Sequence, residues 1–150
     1  MCDAIKDFSG VEHRIEYVRT LNGVEYYNDS KATNVTSTQT ALSTFKKPTI
    51  LILGGLDRGH SFDGLKDYMD NVKLVVSLGQ TSERIKKWCD KNNIPCNSFE
   101  TLFEATKNAH ENARPGDVVL LSPACASWDQ YKKFEDRGNE FKNFVKGFDE

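Results

Sequence analysis

The stretch Thr49-Ile50-Leu51-Ile52-Leu53-Gly54-Gly55 decides the fold. It is a continuous apolar run, preceded by Pro48 and ended by two glycines, too short for a buried helix and lacking the alternation of a half-exposed strand. Such a run predicts a strand covered on both faces. Lys73-Leu74-Val75-Val76-Ser77, ending at Gly79, reads the same way, as does Val118-Val119-Leu120-Leu121 after the turn Pro115-Gly116-Asp117. Helical patterns fill the intervals: Phe62 to Met69 as a short helix, Ser82 to Asn92 as an amphipathic one, and Thr101 to Asn112. Ile94 to Ser98 is expected to add a short strand. Upstream, Arg14–Arg19 and Val24–Tyr27 flank Asn22-Gly23, the pair that best tolerates the positive φ of a two-residue hairpin turn. A helix is expected from near Asn34, and a last one from about Trp128 to Val145. Buried strands alternating with helices require right-handed crossovers within one sheet. The expected architecture is therefore α/β: a doubly wound, mostly parallel, Rossmann-like sheet with an N-terminal β-hairpin, in a single domain.

Composition narrows the function. The chain has 150 residues and a formal net charge of −2, enough for one core. No block of Lys and Arg tracks a nucleic-acid backbone, so nucleic acid is not an expected partner. No apolar stretch approaches the ~20 residues that span a bilayer, and the first residues lack a signal-peptide core, which predicts a cytoplasmic protein. Cys2, Cys89, Cys96 and Cys125 form no C-x-x-C pair, and His13, His60 and His110 stand at no ligand spacing. Neither zinc nor a disulfide framework is expected. Cys125 lies among small residues in a loop; a packed thiol is the ordinary use of such a residue, a nucleophile the rarer one.

In a doubly wound sheet, ligands bind beyond the carboxyl ends of the strands. Three segments fall at that edge. Asn28-Asp29-Ser30-Lys31-Ala32-Thr33-Asn34 joins a strand to a helix and carries a carboxylate, a cation, two hydroxyls and two amides. Asn34 or Thr33 could simply cap the helix, with Asp29-Ser30 as a turn; equally, unpaired N–H groups at the helix start and the Lys31 charge suit an anionic ligand. Gly54-Gly55-Leu56-Asp57-Arg58-Gly59 turns sharply out of its strand and brings in Arg58, as either a solvated loop or a close approach to ligand. Neither G-x-G-x-x-G nor G-x-x-x-x-G-K-[ST] occurs. Ser122-Pro123-Ala124-Cys125-Ala126-Ser127-Trp128-Asp129-Gln130 contains Ser127-x-x-Gln130, the spacing of a capping box for the last helix. Its small residues are expected to open backbone N–H groups at that helix start, with Tyr131 and Phe134 on the first turns.

Taken together, N-D-S-K-A-T-N (Asn28 to Asn34), G-G-L-D-R-G (Gly54 to Gly59) and L-L-S-P-A-C-A-S-W-D-Q-Y-K-K-F-E-D-R-G (Leu120 to Gly138) resemble the Mur ligases, in order and spacing. His13-Arg14 ahead of the hairpin matches as well. The first segment resembles the glutamate-adding branch. Relatives that add other amino acids carry different words there, resembling D-Y-A-H-x-P or D-x-Y-N-A-N-P. The resemblance covers roughly Ala4 to Phe148 but only the C-terminal third of such an enzyme.

That resemblance implies a C-terminal, D-glutamate-binding domain over residues 1–150, with residues 1–10 descending from the linker to a central ATPase domain. It implies ATP-dependent amide formation in peptidoglycan synthesis, adding D-glutamate to UDP-N-acetylmuramoyl-L-alanine through an acyl phosphate. ATP and Mg2+ would be bound mainly by the central domain, and the isolated chain would be a monomer inactive in ligation. By position, Lys31, Thr33, Arg58, Ser127, Trp128 and Phe134 are implied to contact D-glutamate, and Arg14 and Asp29 the nucleotide. Arg58 stands where many members have lysine, and Trp128 where leucine is expected. A free-standing anion- or nucleotide-binding module without catalysis, or the C-terminal domain of a folate polyglutamylating ligase, are the competing readings.

Overall fold

A computed structural model describes residues 15–57, 59, 61–127 and 131–148. Arg14, Arg58, Trp128 and the stretch 1–10 lie outside the described residues. Strands β1 (Glu16–Leu21) and β2 (Val24–Asn28) form the expected hairpin. Asn22 and Gly23 take φ of 54° and 81°, the left-handed pair that a two-residue turn needs to match strand twist. The remaining elements are α1 (Val35–Thr44), β3 (Thr49–Gly54), a 3-10 helix (Asp63–Tyr68), β4 (Val72–Leu78), a 3-10 turn (Gly79–Thr81), α2 (Ser82–Lys91), β5 (Cys96–Ser98), α3 (Leu102–Asn112), β6 (Val118–Leu121) and α4 (Phe134–Gly147).

The six strands form one sheet in the order β1-β2-β6-β3-β4-β5. Only β1 is antiparallel to its neighbour. The last strand thus inserts between β2 and β3, and all five parallel strands end at one edge. Alternation along each strand divides the core. Leu51, Leu53, Val75, Val118 and Leu120 pack with residues of α1, the Asp63–Tyr68 helix and α2. Ile50, Ile52, Val76, Val119 and Leu121 pack with α3 and α4 on the opposite face. Helices on both faces explain why these strands read as unbroken apolar runs. Truncating any such leucine to alanine would cost about 2–5 kcal/mol.

Two expected elements differ. Phe62 to Met69 is not an α-helix: Asp63–Tyr68 is 3-10. Gln39 Nε2 donates to the Gly64 carbonyl at 2.6 Å, and a β-carbon on Gly64 would sit 3.0 Å from Val35 Cγ1, so this segment lies tight against α1. The tighter helix also buries Phe62 and Leu65, three apart, on one side. The last helix begins at Phe134, not near Trp128, and Ser127 does not cap it; its N-cap is Lys133, which makes no side-chain cap bond. Tyr131 therefore precedes the helix, its N–H donating to the Ser127 carbonyl at 2.8 Å. The capping box is found instead at α3, where Thr101 and Glu104 satisfy each other's backbone N–H groups.

Candidate functional site at the carboxyl edge of the sheet

The three segments do meet at one edge. Asp29 extends the β2 ladder, its N–H donating to the Leu121 carbonyl at 2.7 Å. Its carboxylate is buried, one oxygen accepting from the Ile15 N–H at 3.1 Å and the other from Ser122 Oγ at 2.8 Å. Thr38 of α1 joins them, donating to the Ser122 carbonyl at 3.2 Å. The Ser30 N–H donates to Asn28 Oδ1 at 3.1 Å and the Ala32 N–H to the Asp29 carbonyl at 2.9 Å, which folds the segment back so that Lys31 points out. Asn34 is the helix cap that its residue type suggested: Oδ1 accepts from the Ser37 N–H at 2.9 Å.

This turn and α1 enclose a cleft of about 450 Å³, lined by Asp29, Lys31, Thr33, Asn34, Thr36, Ser37 and Thr40 with Ile15 and Ala32. Lys31 is exposed and makes no ion pair among the described residues. An unneutralised ammonium among hydroxyls suits a carboxylate ligand.

Gly54 leaves β3 at φ 127°, and a β-carbon there would collide with the Leu78 carbonyl oxygen. Only glycine lets the backbone pass this close to β4. The loop is then fixed at Asp57, whose carboxylate takes a two-pronged bond from Arg84 at 2.9 and 3.1 Å and accepts from the Gly59 N–H at 2.8 Å. Arg84 also stacks over the Phe62 ring at 5.0 Å.

In the third segment Gly54 N–H donates to Pro123 O and Leu56 N–H to Ala126 O, both at 2.9 Å. The small run Ala124-Cys125-Ala126 does not open a helix start, because α4 begins eight residues after Ala126. Small side chains there make room for backbone and for a buried cation instead. A β-carbon on Gly55 would fall 2.5 Å from the Ala126 carbonyl oxygen, and Arg137, 1 % exposed, donates from Nη1 to the Cys125 carbonyl at 2.9 Å. Its Nε and Nη2 reach Ser30 Oγ at 2.8 Å and Ser30 O at 2.7 Å. Ser30 Oγ in turn donates to Phe134 O at 2.7 Å. Cys125 is a packed thiol, its sulfur 3.9 Å from Thr81 Oγ1.

Ser127 is 2 % exposed, and its hydroxyl has no hydrogen-bond partner among the described residues. Buried hydroxyls are almost always bonded, so an orphan at a ligand edge points to a partner that arrives from outside. Phe134, half-buried at the head of α4, follows it across the loop. The structure thus gathers Asp29, Lys31, Thr33, Ser127 and Phe134 at one edge. Sequence reasoning gave no role to Arg137 or Arg84; a signal for Arg137 was present, since it closes the long third motif. Among the described residues no group of three or more His, Cys, Asp or Glu could hold a metal ion, and no helix is long and apolar enough to cross a membrane.

Parallel strands, both-face helices and this motif-bearing edge define a ligase domain, and the chain belongs to the Mur ligase family. The family described as "Mur ligase, glutamate ligase domain" matches residues 13–125. Over 138 residues the chain is 51% identical to the UDP-N-acetylmuramoylalanine–D-glutamate ligases of Bacillus thuringiensis (strain Al Hakam) and Bacillus anthracis (strain A0248), covering 91% of this chain and 31% of each relative. It is the Mur ligase C-terminal domain in the form those enzymes carry, and it spans less than a third of their length. Among solved structures, a murein peptide ligase from Psychrobacter arcticus 273-4 superposes with TM-score 0.65 at 14% identity, over 99% of this chain and 33% of that one. UDP-N-acetylmuramate-alanine ligase from Thermotoga maritima does so with TM-score 0.65 at 16% identity, over 96% and 32%. At such identities the likeness is one of fold.

Proposed function

We propose that this chain is the D-glutamate-binding domain of an ATP-dependent ligase that adds D-glutamate to UDP-N-acetylmuramoyl-L-alanine in peptidoglycan synthesis, in the bacterial cytoplasm. Members of the family form amide bonds at the expense of ATP. In the reaction proposed, the alanyl carboxylate takes the γ-phosphoryl group of ATP, releasing ADP. The amine of D-glutamate then attacks the acyl carbon, the C–O bond to phosphate breaks, and an amine proton is lost as the amide forms.

The observation that carries this reading is the cleft with its unneutralised Lys31. D-glutamate has two carboxylates, and each charge-assisted hydrogen bond to them is worth about 1.5–3 kcal/mol. Lys31 and Thr33 take one carboxylate, and Ser127 supplies its free hydroxyl to the other, with Arg58 and Trp128 completing the pocket and Phe134 walling it. Arg14 and Asp29 face the nucleotide. The Asp29 carboxylate accepts from the Ile15 N–H and from Ser122 Oγ, and a carboxylate is the kind of acceptor that a ribose hydroxyl needs. ATP and Mg2+ are assigned mainly to parts of the enzyme outside this chain. The chain by itself is a monomer inactive in ligation.

The test is made in the complete ligase. Lys31→Ala is expected to raise the KM for D-glutamate at least tenfold, about 1.4 kcal/mol, in an assay of D-glutamate-dependent ADP formation with L-glutamate as control. Unchanged kinetics would remove Lys31 from the pocket, and ADP formation by the isolated chain would refute its inactivity.

A further inference from the structure

A guanidinium cannot shed its proton inside a protein, so burying one is tolerated only where its donors are met. At Arg137 three of the five N–H donors are met by the very segments that carry the candidate substrate groups. Nε and Nη2 grip Ser30 through its hydroxyl and carbonyl oxygens, and Nη1 holds the Cys125 carbonyl. Ser30 passes the constraint to the first residue of α4 through the Phe134 carbonyl. The glycine loop lies against the same group, since a β-carbon on Gly55 would be 3.3 Å from Nη1. Lys31 is the next residue after Ser30, and Ser127 comes two after Cys125.

We propose that Arg137 is a positioning residue that locks the three edge segments into one register and thereby sets the affinity for the acidic amino acid. The inference rests on the D-glutamate reading above. Arg137 touches no substrate; it acts through Ser30 and Cys125. Its planar fork spans two loops at once, which the point charge of lysine does not reproduce. A misplacement of about 1 Å by a group remote from the chemistry is enough to cost a hundredfold.

In the complete ligase, Arg137→Lys is expected to raise the KM for D-glutamate at least tenfold while kcat changes less than about threefold and the KM for ATP stays unchanged, well below the variant's own melting temperature. A merely structural role would lower the active fraction, hence kcat, and leave KM unmoved. Ser30→Ala, which removes one prong without burying anything new, is expected to raise the same KM about threefold, and the double variant less than the product of the two. A folded Arg137→Lys enzyme with KM within twofold of the wild type overturns the proposal. Should that variant not fold, an unmoved KM in Ser30→Ala overturns it. A folded wild-type ligase that ignores D-glutamate defeats the functional reading instead. Positioning is then scored on the 150-residue chain by amide shift maps of Ser30→Ala: displacement of signals in all three segments supports it, and displacement confined to the Ser30 turn overturns it.

Discussion

At the amino edge of the parallel sheet Asp117 is buried, and one of its oxygens takes Lys73 Nζ at 2.7 Å and the Arg114 N–H at 2.8 Å. At the carboxyl edge Ser127 is as deeply buried and its hydroxyl meets nothing among the described residues. The two edges solve different problems. The amino edge only has to close: its turn at Gly116 donates to the Gly23 carbonyl at 2.8 Å and the polar groups pair where they lie. The carboxyl edge builds a frame from residues far apart in sequence, Ser30 with Arg137 and Asp29 with Ser122, and leaves a donor over. An unmet buried hydroxyl costs about 1–3 kcal/mol, a cost with a use only if a ligand later meets it.

Backbone substitutions separate the edges most sharply. Gly54 and Gly116 both have positive φ, 127° and 95°. A β-carbon on Gly116 meets nothing within 4 Å, whereas on Gly54 it strikes the Leu78 carbonyl. Gly116→Ala should therefore cost only conformational strain, about 1 kcal/mol, and Gly54→Ala that strain plus overpacking, about 3 kcal/mol or more. Urea denaturation of the two variants measures this. Equal losses would mean that the carboxyl edge is no tighter than a turn.

How much of this was legible in the sequence follows from what each signal measures. Ile50 to Leu53, Leu74 to Val76 and Val118 to Leu121 announce buried strands because burial on both faces removes polar alternation, and Asn22-Gly23 announces the hairpin through φ alone. The insertion of β6 between β2 and β3 leaves no local trace. Ser127-x-x-Gln130 matched a cap by spacing, yet α4 starts only at Phe134, with Lys133 as its N-cap. The local preference gave way to a tertiary arrangement in which α4 delivers Arg137 to Ser30 and Cys125. An arginine in a charged helix reads as solvated; only its distances show it buried. Arg14, Arg58 and Trp128 rest on the family resemblance.

Two orphan hydroxyls differ in the same way. Among the described residues Thr106 Oγ1 in α3 and Ser127 Oγ are both buried without partners, but only Ser127 stands at the carboxyl edge of the sheet. Thr106→Val should leave kinetics alone and stabilise slightly, by up to about 1 kcal/mol, since it removes a desolvated polar atom. Ser127→Ala should likewise not destabilise, yet raise the KM for D-glutamate about fivefold or more. Melting curves and steady-state kinetics on the complete ligase test the pair. If Ser127→Ala leaves KM unmoved, its hydroxyl is as idle as that of Thr106.

The smallest expected effect lies on the side away from the site. α3 runs back from β5 towards β6, so its last turn, with His110, lies towards the amino edge. There the ring stacks on Phe148 at 4.2 Å and its Nδ1 meets the Tyr26 hydroxyl at 2.7 Å. Burial pushes the Tyr26 phenol up to about 12, so the phenol keeps its proton throughout the neutral range. Burial, with a smaller push from Arg19 against a pull from Glu111, holds the His110 pKa below its ordinary 6.5. Between that depressed value and 6.5 the unfolded chain binds more protons than the folded one, so stability falls as pH is lowered through this window and is unaffected by His110 above it. His110→Phe keeps the stacking and removes the titration. The urea midpoint of the wild type should therefore drop more between pH 7.5 and pH 5.5 than that of the variant, and D-glutamate kinetics at pH 7.5 should be the same in both. Equal drops would clear His110 of any part in the pH response. A changed KM would show that the amino edge reaches the site, and would erase the separation of labour between the two ends of the sheet.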